Sequence, residues 1–136
     1  MANNNVIFIH PDGTAPAHFA AGRLVQEGPD GRLNWDEMTN VGVYLEHIED
    51  RLVSTSNTGA VIHSHGTKAY AGSYGLNEDG TPVESLSFQA GKVNEPSLTI
   101  MEEAILAGKT SAVINSGFIA EPGTGVFLVT TESRRD

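Results

Sequence analysis

Asn5-Val6-Ile7-Phe8-Ile9-His10-Pro11-Asp12-Gly13 opens the chain with the pattern that decides how the fold is read. Val6-Ile7-Phe8-Ile9 is apolar on every side, too short for a helix, and closed by a Pro-Asp-Gly turn. A run of that kind predicts a buried strand in a parallel sheet. Residues 15–27 follow, where Phe19, Leu24 and Val25, padded with Ala, suit a helix that Gly28-Pro29-Asp30-Gly31 stops. Val41, Val43 and Leu45 then alternate with Gly42, Tyr44 and Glu46, the pattern of a strand with one buried face.

The alternation continues downstream. Ser54-Thr55-Ser56-Asn57-Thr58-Gly59 is a polar, small-residue stretch expected to feed a helix N-terminus. Residues 69–95, rich in Gly and polar side chains, are expected to be loop with one short strand near Ser85. Ser97 is a candidate N-cap for a helix carrying Ile100, Met101, Ala104, Ile105 and Leu106 and ended by Gly108. Ala112-Val113-Ile114 is a further expected strand, and a third helix is expected to start near Thr124. The class predicted is α/β, with a largely parallel sheet flanked by helices.

The chain has 136 residues, 39% hydrophobic and 18% charged, enough for one domain with a core. Eight Lys and Arg against 17 Asp and Glu give a net charge of −9, which disfavours nucleic acid and anionic membrane surfaces as partners. There is no cysteine, so disulfides, Cys-containing zinc sites and thiol catalysis are excluded. No apolar run approaches the roughly 18 residues of a membrane span. The polar opening Met1-Ala2-Asn3-Asn4-Asn5 is no signal peptide, although a leader already removed would leave the same start. Glu132-Ser133-Arg134-Arg135-Asp136 carries no closing signal, an ending that fits a cut or truncated chain as well as a natural stop.

Ligands of parallel sheets bind where strands end and helices begin, and that rule singles out three places. Asp12 sits directly after the first strand; the plain alternative is an Asx-turn or a cap. Thr55-Ser56-Asn57 precedes a helix, where a hydroxyl meets the positive end of the dipole and phosphate oxygens find N–H groups, or where Ser56 is simply an N-cap. Glu121-Pro122-Gly123-Thr124 is the third, again readable as a turn and a cap. The histidines are His10, His18, His47, His63 and His65. His63 and His65 have strand spacing in a predicted helix and so are not taken as paired ligands, and His47 is expected at the surface. No Walker-type loop and no GxGxxG occurs.

Taken in order, these segments resemble the N-terminal part of the alkaline phosphatase family. Residues 5–13 look like the family's opening strand and "GDG" turn, with Pro11 in place of the first Gly. Residues 54–60 and 64–72 are similar to "TDSAASATA…TGVKTYNG" without gaps. Ser56 falls on the nucleophile, while Thr55 replaces an Asp and Asn57 an Ala. More loosely, Glu121-Pro122-Gly123-Thr124 resembles the "DATP" magnesium-site loop with one residue inserted.

The resemblance implies a metal-dependent phosphomonoesterase working through a phosphoserine on Ser56. It implies two zinc ions and a magnesium, with Asp12, Thr124 and Glu121 as metal residues and Arg134 or Arg135 gripping the phosphate. The remaining ligands of the family have no counterpart here, so the chain is expected to be inactive without a further C-terminal portion, possibly a separate chain. A homodimer and a periplasmic or secreted location are further implications. Two rival readings remain open at this point: a non-catalytic acidic α/β binding module, and a phosphodiesterase or sulfatase of the same superfamily.

Overall fold

The computed structural model describes residues 5–86 and 98–135. It divides into two compact units, Met1–Leu45 and Glu46–Asp136.

In the first unit a helix, α1 (Pro16–Glu27), starts on a proline and ends at Gly28. The helix expected over 15–27 keeps its end and starts one residue later, because Pro has no N–H to leave unpaired at a helix start and Gly28 takes φ 79°. The Ala15 N–H donates to His18 Nδ1 at 2.8 Å, closing the first turn. A 3₁₀ turn, Asn34–Glu37, lies against the helix. Trp35 meets the Phe19 ring edge-on at 5.2 Å, and Arg23 grips Asp36 with two nitrogens, Nε donating to Oδ2 at 2.8 Å. The Arg23 bond and the Leu33 N–H hold the Asp36 carboxyl down at about 2.

The second unit is built on α2 (Ser56–His65), which packs against α3 (Ile100–Leu106) and α4 (Pro122–Gly125). Its core is Ala60, Val61, Ala69, Tyr74, Val83 and Val126. Tyr74 anchors it, donating its hydroxyl to the Ala120 carbonyl at 2.8 Å, while its own carbonyl accepts from the Thr131 N–H at 3.2 Å. A Cβ on Gly125 would run into that hydroxyl, so the seat of Tyr74 against α4 needs glycine there. Gly66 ends α2 in the left-handed conformation, φ 74°. The cap of α3 is Thr99, which accepts from the Glu102 N–H at 3.2 Å as Glu102 accepts from the Thr99 N–H at 2.7 Å. The expected cap, Ser97, and most of the strand expected near Ser85 lie outside the described residues.

The expected parallel sheet is not formed by the described residues. Among the described residues no strand forms, and the one ladder contact is an isolated antiparallel bridge between Leu76 and Pro82. The segments expected as strands leave their apolar side chains in solvent: Val6 is 90% exposed, Val43 91% and Ile114 95%. A helix closes its own hydrogen bonds, whereas a parallel strand needs neighbouring backbones delivered by long crossovers. The apolar pattern at 6–9, 41–45 and 112–114 records a preference for a sheet interior that the described residues do not assemble. The described residues are therefore helical and loop-rich, not the α/β class expected. No helix among the described residues is long and apolar enough to cross a membrane.

Candidate functional site

Ser56 is the first residue of α2, and the cap before it is Thr55, not Ser56. Thr55 has extended backbone and its hydroxyl accepts from the Thr58 N–H at 3.3 Å. The capping reading of Ser56 is thereby removed: the cap position is filled, and Ser56 stands exposed at the positive end of the helix. Its hydroxyl makes no hydrogen bond among the described residues. One turn further on, at Gly59, an added Cβ would lie 3.1 Å from Glu46 Oε1 and 3.6 Å from Ser54 Oγ, so Gly59 leaves room for a carboxylate close to the start of α2.

The loop at 70–72 is bound to the same turn. Thr55 Oγ1 donates to the Ala71 carbonyl at 2.6 Å, Thr58 Oγ1 to the Tyr70 carbonyl at 2.7 Å, and Asn57 Nδ2 to the Gly72 carbonyl at 3.2 Å. Asp50 Oδ1 accepts from the Ala71 N–H at 2.9 Å. In the sequence Glu46 stands only as part of the alternating stretch at 41–46, and Asp50 carries no motif. The absence of any side chain at position 59 was the available hint for Glu46.

The Glu121 loop forms a second group. Thr124 is buried, and its hydroxyl lies 2.8 Å from the Ile119 carbonyl, 3.1 Å from the Glu121 carbonyl and 3.0 Å from Asn115 Nδ2, which donates to it. Glu121 Oε2 accepts from Arg134 Nη1 at 2.9 Å. Three of the expected site residues, Glu121, Thr124 and Arg134, are thus drawn together beside α4, which packs on the helix that Ser56 begins. Arg135 is exposed. Asp12 belongs to the first unit, where its Oδ1 lies 3.9 Å from His10 Nε2.

The other histidines have structural surroundings. His18 caps α1, His47 contacts Lys68, and His65 is buried with its Nδ1 2.7 Å from Ser64 Oγ. Burial pushes the His65 imidazole below its ordinary range, only partly opposed by the charge of Glu102 and the Val61 carbonyl. Among the described residues no three His, Asp or Glu side chains come together as metal ligands. Asp12 with His10 supplies two donors, the Thr124 oxygen is already engaged on several sides, and Glu121 is paired with Arg134. As they stand, these residues do not fit a zinc pair or a magnesium ion.

A family model described as alkaline phosphatase matches residues 3–135. No curated protein and no solved structure matches.

Proposed function

Because the chain belongs to the alkaline phosphatase family, we propose that it supplies the nucleophile of a phosphomonoesterase, Ser56. The family consists of phosphatase-type hydrolases that are generally zinc- and magnesium-dependent and typically periplasmic or secreted. The observation that supports the reading is the place of Ser56: exposed, at the start of a ten-residue helix, with the cap position taken by Thr55. The dipole and the free N–H groups of that first turn favour both phosphate oxygens and a developing alkoxide.

The chain's own atoms then carry the following chemistry. Ser56 Oγ forms a bond to phosphorus as the bond to the substrate's alcohol oxygen breaks, and the alcohol leaves with the serine proton. Water later attacks the phosphoserine, restores the hydroxyl and releases inorganic phosphate. Arg135, exposed, or Arg134, once parted from Glu121, would grip two phosphate oxygens with its planar fork. Since the described residues do not gather a metal site, no step is assigned to a metal.

The working unit in this proposal includes polypeptide beyond these residues, supplying the missing ligands and covering the apolar stretches at 6–9 and 41–45. A homodimer and an exported location belong to the same reading. An aryl phosphate monoester tests it. The full gene product should release phosphate, its Ser56→Ala form should not, and this chain alone should be silent. Equal turnover by the Ser56→Ala form would sink the assignment, and turnover by this chain alone would sink the need for further polypeptide.

A further inference from the structure

Within the opening turn of α2, Ser56 is flanked by residues whose side chains are committed to one loop. Three successive carbonyls, those of Tyr70, Ala71 and Gly72, receive one donor each from Thr58, Thr55 and Asn57 at 2.7, 2.6 and 3.2 Å. Asp50 fixes the same loop from its other side through the Ala71 N–H at 2.9 Å. Thr58 is fully buried, whereas Ser56 is exposed. Two of the three donors, Thr55 and Asn57, stand where the sequence departs from the family motif.

We propose that Asn57 and Thr58 are positioning residues for Ser56: together with Thr55 they clasp the 70–72 loop and hold the serine hydroxyl outward from a turn that cannot rotate or fray. This rests on the reading of Ser56 as the nucleophile. The first turn of a helix has N–H groups with no partner inside the helix and is where fraying begins. Here its side chains are bonded to a loop 12 to 16 residues away in sequence, so rotation of the turn would break three hydrogen bonds at once. Displacing a reacting atom by an ångström costs about a hundredfold in rate, so a rigid turn bears on the chemical step more than on substrate affinity.

The test uses the full gene product with Thr58→Val, Thr58→Ser and Asn57→Ala. Thr58→Val keeps the side chain's shape and removes the donor, Thr58→Ser keeps the donor, and Asn57→Ala alters a half-buried position that should leave folding intact. Two quantities are read: amide exchange at residues 56–59 and 70–73, and kcat and KM for an aryl phosphate monoester with the phosphoserine yield at Ser56. In Thr58→Val, exchange in both segments should quicken and kcat should fall about ten- to a hundredfold with KM within about twofold, and Thr58→Ser should recover most of the loss. Asn57→Ala should change the same quantities in the same direction, by less. Faster exchange with unchanged kcat would overturn the positioning role, and unchanged exchange would overturn the clasp. Absence of phosphoserine from the unsubstituted protein would instead overturn the Ser56 reading itself, and the positioning role with it.

Discussion

Ser56, at the start of α2, and Asp12, in a tight turn, are both singled out by the sequence, yet their surroundings differ in kind. Around Ser56, four side chains from 50–58 fasten a loop, and the helix below lies in the core with Val61 fully buried. Around Asp12, the side chain facing the carboxylate is His10, its Nε2 3.9 Å from Oδ1, and the apolar residues before it are largely in solvent. The seat of the proposed nucleophile is fastened by side chains within about twenty residues of sequence, whereas the turn of the expected metal carboxylate is held by short-range backbone bonds, Asp12 N–H to the His10 carbonyl and Thr14 N–H to the Pro11 carbonyl, both at 3.2 Å. Local encoding is what a helix and its capping residues permit; a strand and the turn after it depend on partners from elsewhere.

The largest effect expected on that comparison is at Ser56. Ser56→Ala should lower phosphate release by the full gene product at least about a thousandfold, as loss of a covalent nucleophile does elsewhere. Next comes the core that carries the seat. Tyr74→Ala removes both a buried ring and the bond to Ala120, and should lower the stability of the second unit by about 3–5 kcal/mol in a urea titration. A shift under about 1 kcal/mol would show that the core is not what holds α2 and α4 together.

A smaller change follows pH. Because burial depresses His65, the folded state takes up its proton less readily than the unfolded chain, which does so below about pH 6.5. Its contribution is therefore complete above about pH 6.5 and lost progressively as pH falls below that. The urea midpoint should drop between pH 7.5 and 5.5, and drop less in His65→Gln. An equal drop in both proteins would assign the effect to other groups. The smallest effect should come from the exposed strand-like residues. Ile7→Ser, at a side chain 84% exposed, should leave the stability of this chain within about 0.5 kcal/mol. A loss of 2 kcal/mol or more would show that the 6–9 segment is packed in solution.

What could be read from sequence follows the same division. The end of α1 was legible because Gly28 acts on its own turn, and Gly108 follows the end of α3 for the same reason, φ 76°. The sheet was not, because alternation at 41–45 states what the side chains prefer without supplying backbone partners. At the site, the hydroxyl at a helix start was legible in the small polar run at 54–59. That Thr55 and not Ser56 caps the helix was not, since either residue type serves. Nor could sequence show Arg134 bound to Glu121, a pairing across 13 positions that only the α4 turn brings within 2.9 Å.

The most direct test is to quench the full gene product during turnover of an aryl phosphate monoester and locate phosphate by peptide mass spectrometry. The account predicts a phosphoryl group on Ser56, absent from the Ser56→Ala form along with phosphate release. Hydrolysis that proceeds with Ser56 unmodified, and undiminished after Ser56→Ala, would contradict it.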